Sequence, residues 1–285
     1  RLKPSGNWAG RLFRSMTRSD ALPTGFEPII MYETADMYET ADLMPTKVAI
    51  VAALKREVKP LIKRWTAVQR QYSGRHYEFF ESNHLVLVCA GIGPEAARRA
   101  AEAVIGIYAP ELIISAGFAG ALDRSLRVGD SFVPRHIINA GDGSASETES
   151  GSGTLVSFGS IATAEQKAKL GTAYAAQAVD MEAAAVARAA HVHGTRFACV
   201  KAVSDDQDFD MPHMERFVND GQFSTSRFLA HSIAQPWLWP RVIRLAKNSA
   251  RAASSLCKLL EQYNRNPEFL ENVPAAVHLI SKHKG

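Results

Sequence analysis

Three carboxylates stand where apolar segments of the sequence end, and such positions suit acid and base groups of an enzyme. Glu57 follows the apolar run at residues 48–53, Glu182 opens an alanine-rich segment, and Asp205 ends the apolar run at residues 197–203. In open α/β sheets the carboxyl ends of the strands collect ligands, which leads to the hypothesis that the three side chains converge on one crevice. The alternative for each is a helix-start carboxylate that stabilises the helix dipole, and spacing alone does not decide between them.

The segment Gly91-Ile-Gly93-Pro-Glu-Ala96 formally matches the glycine-rich turn that binds dinucleotides. Such a turn offers helix N-terminal amides to an anion. A dinucleotide site would also need an acidic residue at the end of the next strand, and that strand ends in Ile114-Ser-Ala-Gly117 instead. The pattern therefore favours a tight strand-to-helix turn, and we predict no cofactor.

The acidic and histidine-containing segments do not predict a metal site. Residues 205–210 resemble the start of a calcium loop, but Met211 stands where that loop requires Gly and Phe217 where it requires Glu. His191 and His193 lie two residues apart on a predicted helix, which points them to different faces.

The elements that must position these groups alternate between short apolar runs and helical segments. We predict strands at residues 48–53, 76–81, 85–90, 112–116, 131–138, 154–158 and 197–203. We predict helices at residues 56–64, 94–108, 164–171, 181–193 and 214–233, with a polar loop at 141–153. Apolar strands interleaved with helices favour an α/β fold, and we expect one three-layer domain with a mixed central β-sheet flanked by helices.

The composition is that of an ordinary globular protein: of 285 residues, 46% are hydrophobic and 22% are charged. The net charge of +4 comes from residues 235–285, with eight basic and three acidic side chains, whereas residues 44–234 carry 20 of each. A neutral body argues against a basic groove, so we expect no nucleic-acid partner. Three cysteines without a CxxC pattern favour a reducing cytoplasm. No apolar run reaches the length of about 18 residues that a membrane span requires.

The first 43 residues are predicted to lie outside the fold. They lack sustained periodicity, and residues 31–36 recur unchanged at 37–42, a duplication too short to be a structural repeat. Met44 stands just before the first predicted strand. We therefore expect three parts: a disordered or non-native extension at 1–43, a catalytic domain at 44–234 and a basic C-terminal helical extension at 235–285.

Six segments, in this order, resemble the nucleoside phosphorylase/nucleosidase superfamily, and within it the methylthioadenosine/S-adenosylhomocysteine nucleosidase branch. They are residues 49–58, 91–93, 115–120, 128–130, 179–182 and 201–205. The specific part is the pair Val179-Asp-Met-Glu182 and Ala202-Val-Ser-Asp205 at this separation. The resemblance implies a purine nucleoside phosphorylase-like fold and release of adenine by hydrolysis of a 5′-substituted adenosine, and we expect a homodimer that needs no cofactor.

The resemblance also implies a role for each carboxylate. Asp205, with Ser204 beside it, matches the acid that protonates the purine N7 as the base leaves. Glu182 matches the residue that binds the ribose hydroxyls, with Met181 packing on the sugar, and Glu57 matches the carboxylate that holds the attacking water. Cleavage of an N-glycosidic bond builds positive charge on the sugar and negative charge on the base, so a proton donor and stabilising carboxylates are what the chemistry requires.

Several positions depart from the nucleosidase pattern, and they make the substrate less defined than the chemistry. Phe118 stands where these enzymes carry a small polar residue near the ribose. Ile161 and Ala162 occupy the base-stacking positions, where an aromatic and an aliphatic side chain are typical, and Phe158 is the candidate to replace the aromatic one. Lys201 replaces a common Arg.

Two other functions stay open. A phosphorylase of the same fold needs an anion site, but Ala52-Ala-Leu-Lys-Arg-Glu57 occupies the place of the usual Gly-Asp-Pro-x-Arg, and a glutamate there would repel phosphate. Hydrolysis is therefore favoured. A non-catalytic nucleoside-binding module is less favoured, because all three carboxylates are retained.

The basic segment at residues 236–262 allows two interpretations. Arg241, Arg244, Lys247 and Arg251 recur at intervals of three and four, with apolar residues between them and two tryptophans before them. A C-terminal helix that packs its apolar face on the domain would show this pattern. An interfacial helix with a basic face toward anionic lipid would show it too, and would place the protein at the inner face of the membrane. That arrangement suits an adenosyl-lipid substrate, as in hopanoid-associated members of the family.

Overall fold

A mixed eleven-stranded β-sheet forms the centre of the protein in this computed structural model, which describes residues 48–209, 214–219, 222–224 and 239–265. The strands of the sheet are β1 (Val48–Ala52), β2 (Thr66–Tyr72), β3 (Arg75–Ser82), β4 (Leu85–Cys89), β5 (Leu112–Ala121), β6 (Ser131–Phe132), β7 (His136–Asn139), β8 (Ala145–Glu147), β9 (Thr154–Ser157), β10 (Ala178–Asp180) and β11 (Arg196–Asp205). The helices are α1 (Lys55–Ile62), α2 (Pro94–Tyr108), α3 (Ala164–Tyr174), α4 (Ala183–Val192) and α5 (Trp239–Arg265). A 3-10 helix at Met214–Phe217 precedes the short antiparallel pair β12 (Val218–Asn219) and β13 (Gln222–Phe223).

The sheet branches at β5. The strand order is β2-β3-β4-β1-β5-β10-β9-β7-β8, while β11 pairs with β5 and β6. The first half of β5 runs parallel to β1, its last residues pair antiparallel with β10, and β11 runs parallel to it along almost its whole length. The carboxyl ends of β1, β5 and β11 therefore meet in one place.

The central strand β1 shows why the fold has three layers. All five of its residues are buried, which explains its continuous apolar sequence. Val48 and Ile50 pack in one cluster with α1 and α5, whereas Ala49 and Val51 face the opposite side and pack with α2 and α4. The predicted α/β class, a mixed central sheet flanked by helices, is confirmed.

Helix α5 has two halves with different surroundings. Its C-terminal half packs against α1 through the buried side chains Ala252, Leu256, Cys257, Leu259, Leu260 and Tyr263. Its N-terminal half is more exposed and presents Trp239 and Ile243 to solvent, 50% and 52% accessible.

Several predicted elements need correction. The edge strand β2 was not predicted, because it is exposed along most of its length and so carries no apolar run. The strand predicted at 131–138 is two strands, since Pro134 lies between β6 and β7 and cannot donate to a ladder. The loop predicted at 141–153 contains β8, and β10 forms where no strand was predicted.

The helix predicted at 214–233 is wrong over the part that the structure describes. Met214–Phe217 is a 3-10 helix, and β12 pairs with β13 immediately after it. In the sequence, Asp220-Gly221 separates the two strands, and Asp-Gly is a turn signal that favours such pairing over a helix. Residues 225–233 lie outside the described residues.

The predicted extension at 1–43 also lies outside the described residues, as do residues 266–285 at the other end. All described residues belong to one compact unit, Asp42–Gly285. Among them, no helix combines the length and the apolar character that a membrane span requires.

Candidate active site

A cavity of about 680 Å³ opens where the carboxyl ends of β1, β5 and β11 meet. Its wall includes Glu57, Glu182 and Asp205. The structure therefore brings together the three carboxylates that stand at element ends in the sequence. The local reasons for this differ from one carboxylate to the next.

Glu182 faces the cavity because another residue caps α4. Asp180 accepts a hydrogen bond from the Ala183 N–H at 2.8 Å, and this carboxylate is the one that serves the helix start. The Glu182 carboxylate instead accepts the backbone N–H of Gly93 at 2.7 Å and that of Met181 at 3.2 Å. Burial, then the charge of Asp180, raises the pKa of Glu182 to about 7, although Lys201 acts in the opposite direction.

The glycine-rich turn before α2 holds Glu182 rather than a phosphate. Gly91 and Gly93 have φ values of 96° and 97°, in the left-handed region that favours glycine. The Gly93 N–H donates to the Glu182 carboxylate, so this amide is already used and is not offered to an anion.

Glu57 is buried, and one of its carboxylate oxygens is unused. It is the third residue of α1, and its Oε2 has no hydrogen-bond partner among the residues that the structure describes. Gly117 of β5 makes room for it, because a Cβ at that position would lie 3.1 Å from Oε2. Burial, then the nearby charge of Glu182, raises the pKa of Glu57 to about 7.

Lys201 is the buried counter-charge of this acidic group. Its ammonium lies 2.8 Å from Asp180 Oδ2 and donates to Ser115 Oγ at 3.1 Å. Burial is the largest single influence and would lower the pKa of Lys201. The charges of Asp180, Cys199 and Glu182 together with the hydrogen bond to Asp180 outweigh it, so the pKa of Lys201 is raised and the lysine stays charged. The sequence signal for this role is a lysine inside an apolar strand.

A β-bulge directs Asp205 into the cavity. The register of β11 against β5 shifts between Val203 and Asp205, so Ser204 is an extra residue that breaks the normal alternation of side chains. Both Ser204 and Asp205 consequently line the cavity, and the Ser204 hydroxyl donates to Asp205 Oδ1 at 2.6 Å.

The second oxygen of Asp205 contacts the ammonium of Lys167, which lies on α3. Sequence reasoning missed Lys167. Its signal is position: it shares the buried face of α3 with Leu170, where an apolar residue is expected.

Comparison with known proteins identifies the family. The model of the phosphorylase superfamily matches residues 47–162 and 152–233. This chain belongs to the phosphorylase superfamily. The predicted superfamily is thereby confirmed.

The relatives of this superfamily member are distant in sequence, and the solved structures among them share its fold. A 5′-methylthioadenosine/S-adenosylhomocysteine nucleosidase of Staphylococcus aureus is 27% identical over an alignment of 227 residues, and the match covers 66% of this chain and 99% of that protein. The crystal structure of an S-adenosylhomocysteine nucleosidase from Streptococcus pyogenes, in complex with 5-methylthiotubericidin, has a TM-score of 0.58 at 20% identity and covers 78% of this chain and 97% of that chain. Futalosine hydrolase of Helicobacter pylori has a TM-score of 0.57 at 17% identity and covers 76% and 97%.

The residues predicted to bind substrate in this superfamily member divide into two groups. Phe118, Ile161, Ala162, Met181 and Ser204 line the cavity beside the three carboxylates.

Phe158 does not belong to the described cavity wall. It packs on an adjoining apolar cluster that includes Val156 and Leu170, and Ala162 of the cavity wall packs on the same cluster. That Phe158 replaces the stacking aromatic stays a prediction.

Two residues of α5 also line the cavity, although this helix lies beyond the part matched by the superfamily model. They are Leu245 and Ser249. One turn away, Val242 packs with Leu245 on Phe209, and Arg244 pairs with Asp206. The N-terminal half of α5 is therefore held against the segment that follows Asp205.

Taken together, the cavity offers two chemical environments. One end has two buried carboxylates of raised pKa with an unused oxygen, which suits a developing cation and a water molecule. The other has a carboxyl group held between a hydroxyl and an ammonium, which fixes its orientation in the cavity.

Proposed function

We propose that this protein is an adenine-releasing N-glycosidase that hydrolyses a 5′-substituted adenosine. The observation that carries the proposal is the buried Oε2 of Glu57, which has no hydrogen-bond partner among the described residues and lies in the same cavity as Glu182 and Asp205. An acceptor oxygen that is buried without a donor is costly unless a ligand or water satisfies it. The similarity to a nucleosidase over 99% of that relative's length supports the same reaction class.

Asp205 is the proposed proton donor. As the C1′–N9 bond breaks, its electron pair moves to the purine, and the proton of the Asp205 carboxyl passes to N7 of the leaving base. Ser204 orients the carboxyl through its hydrogen bond to Oδ1. Ile161 and Ala162, at the start of the segment that leads into α3, are proposed to contact the base.

Glu182 is the proposed ligand of the ribose hydroxyls. Two backbone N–H groups fix its carboxylate, which leaves lone pairs to accept from a sugar diol. Met181 and Phe118 line the cavity beside it and are proposed to pack on the sugar.

Glu57 is the proposed holder of the attacking water. When ionised, its Oε2 accepts a hydrogen bond from a water that adds to C1′ and gives its proton to the carboxylate. A pKa of about 7 places this carboxylate near the optimum for a general base at neutral pH. Substituents at the 5′ position are proposed to extend toward Leu245 and Ser249 of α5.

Adenine release with and without phosphate tests the proposal. Substrates are methylthioadenosine, adenosylhomocysteine, 5′-deoxyadenosine and an adenosyl-lipid, with Asp205→Asn as the control of strongly reduced activity. We expect release without phosphate from at least one of them. Strict dependence on phosphate would replace hydrolysis by phosphorolysis, and unchanged nucleosides in every assay would contradict the function.

We also propose the division of the chain predicted from its sequence: an extension at 1–43, a catalytic domain at 44–234 and a C-terminal helical extension at 235–285. The packing of the C-terminal half of α5 on the core supports an extension that is part of the folded unit. A homodimer is proposed as well. Light scattering on the full chain should then give about twice the 31.1 kDa of one copy.

The exposed half of α5 is proposed to contact the anionic inner face of the membrane. Trp239 and Ile243 lie one turn apart on one face of the helix and are about half exposed, and Arg241 and Lys247 are exposed nearby. An apolar stripe beside basic side chains is the pattern of a helix that lies in a lipid interface.

Co-sedimentation with vesicles tests this contact. The double change Trp239→Ser and Ile243→Ser should reduce binding to vesicles rich in phosphatidylglycerol. Val192→Ser is the matched control, because Val192 is 71% exposed on another helix. Equal binding of wild type and both variants, or equal binding to pure phosphatidylcholine, would contradict the proposal.

A further inference from the structure

Lys167 is a buried lysine beside the cavity, with no part in the roles proposed so far. Its side chain is 3% exposed. A buried ammonium is costly unless acceptors satisfy it, and Lys167 has three: the Asp205 carboxylate, the carbonyl of Asp206 at 2.9 Å and the carbonyl of Phe209 at 3.3 Å. All three belong to the segment that follows the bulge in β11.

The position of Lys167 is set by the start of α3. Thr163 and Gln166 form a reciprocal capping box, which holds the first turn of the helix. Residues 160–163, just before this turn, line the cavity. Lys167 therefore connects the part of the wall proposed to contact the base with the carboxyl proposed to protonate it.

Gly120 of β5 allows this contact. A Cβ at Gly120 would lie 2.8 Å from Asp205 Oδ2 and 3.2 Å from Lys167 Cε. The missing side chain of Gly120 thus leaves space for the contact between the Lys167 ammonium and the Asp205 carboxylate.

We propose that Lys167 is a positioning residue that acts on the reaction through Asp205. This inference rests on the proposed function. Its ammonium holds the Asp205 carboxyl toward the leaving base. When the proton moves from Asp205 to N7, a carboxylate remains on Asp205, and the fixed positive charge stabilises it at the moment it forms. The proton count is unchanged on Lys167, which stays an ammonium throughout.

The first test compares Lys167→Met with Lys169→Met on methylthioadenosine. Lys169 lies on the same helix, is 74% exposed and pairs with Glu165, so it controls for the loss of a lysine from α3. Because Lys167 assists proton transfer from Asp205 to the leaving base, we expect kcat of Lys167→Met to fall about 10²-fold while KM changes less than about threefold. Lys167→Arg should recover part of kcat, and Lys169→Met should match the wild type.

A second test asks whether the effect passes through Asp205. In an Asp205→Asn background, the further change Lys167→Met should lower kcat by less than about threefold, since coupled residues are not additive. On 4-nitrophenyl ribofuranoside, whose leaving group needs no proton, Lys167→Met should likewise lose less than about threefold. Thermal unfolding of each variant verifies folding, and Lys167→Gln replaces Lys167→Met if that protein does not fold.

Three results would overturn the inference: a Lys167→Met enzyme as active as Lys169→Met, a loss confined to KM, or an equal loss with the nitrophenyl substrate or in the Asp205→Asn background. A wild-type protein that releases no adenine from any nucleoside would instead contradict the proposed function. The two failures are therefore distinguishable.

Discussion

Both ends of the cavity place carboxylates near a buried lysine, yet the lysine is used differently at each. Lys201 contacts Asp180, a third acid that caps α4, and only its field reaches Glu57 and Glu182. Lys167 contacts Asp205 itself. The pKa values of Glu57 and Glu182, which no cation contacts directly, are raised, and burial is the largest cause. The two ends of the cavity therefore differ in whether a lysine contacts the proposed catalytic carboxylate directly, more than in how many charged groups lie nearby.

The largest expected effect comes from the end that holds Lys167. Asp205→Asn removes the proposed proton donor while keeping its shape, so kcat for adenine release should fall about 10²–10⁴-fold. Calorimetric affinity for adenine should change little. An active Asp205→Asn enzyme would remove the functional difference between the two ends.

Lys201→Met tests whether Lys201 stabilises the folded protein as the counter-charge of Asp180. It would leave Asp180 buried without its counter-charge, and we expect the free energy of unfolding in urea to drop by about 3–5 kcal/mol. Lys201→Arg is the control that keeps the charge. A variant as stable as wild type would show that Lys201 is not the counter-charge of this group.

Glu57→Gln tests the raised pKa itself. The folded-state pKa of about 7 lies above the ordinary 4.5, so the folded protein binds this proton more tightly and loses stability as pH rises from about 4.5 to 7. The variant removes that loss. It should match wild type near pH 4.5 and be more stable by about 3 kcal/mol at pH 8 in urea titrations, with little hydrolytic activity. A difference in stability that is the same at both pH values would contradict the burial argument.

The smallest effect is expected at Gly120. In Gly120→Ala, the new Cβ would meet Asp205 Oδ2 at 2.8 Å and push the carboxylate from Lys167. We expect a loss of kcat of roughly tenfold, since small misplacements of a catalytic group are costly. Gly159→Ala is the matched control, because a Cβ there meets no atom within 4 Å. Equal activity of both variants would show that the contact between Lys167 and Asp205 tolerates displacement.

The sequence predicted those parts of the fold that carry a strong periodic pattern. Helix α2 occupies the predicted residues 94–108, and β1 and β4 lie within one residue of their predicted bounds, because each is a long amphipathic or fully apolar run. Edge strand β2 was missed because an exposed strand carries little hydrophobic signal. The strands β12 and β13 were missed because two residues are too few to show a periodic pattern.

For the site, residue type and position at element ends singled out Glu57, Glu182 and Asp205 as candidates, and the family resemblance added the superfamily. Sequence alone could not separate a cavity carboxylate from a helix cap, because both positions follow an apolar run. Tertiary structure decided it: Asp180 caps α4, Gly117 makes room for Glu57, and the bulge at Ser204 directs Asp205. Lys167 and Leu245 joined the site only through the structure, since contacts between distant segments depend on packing that local patterns do not encode.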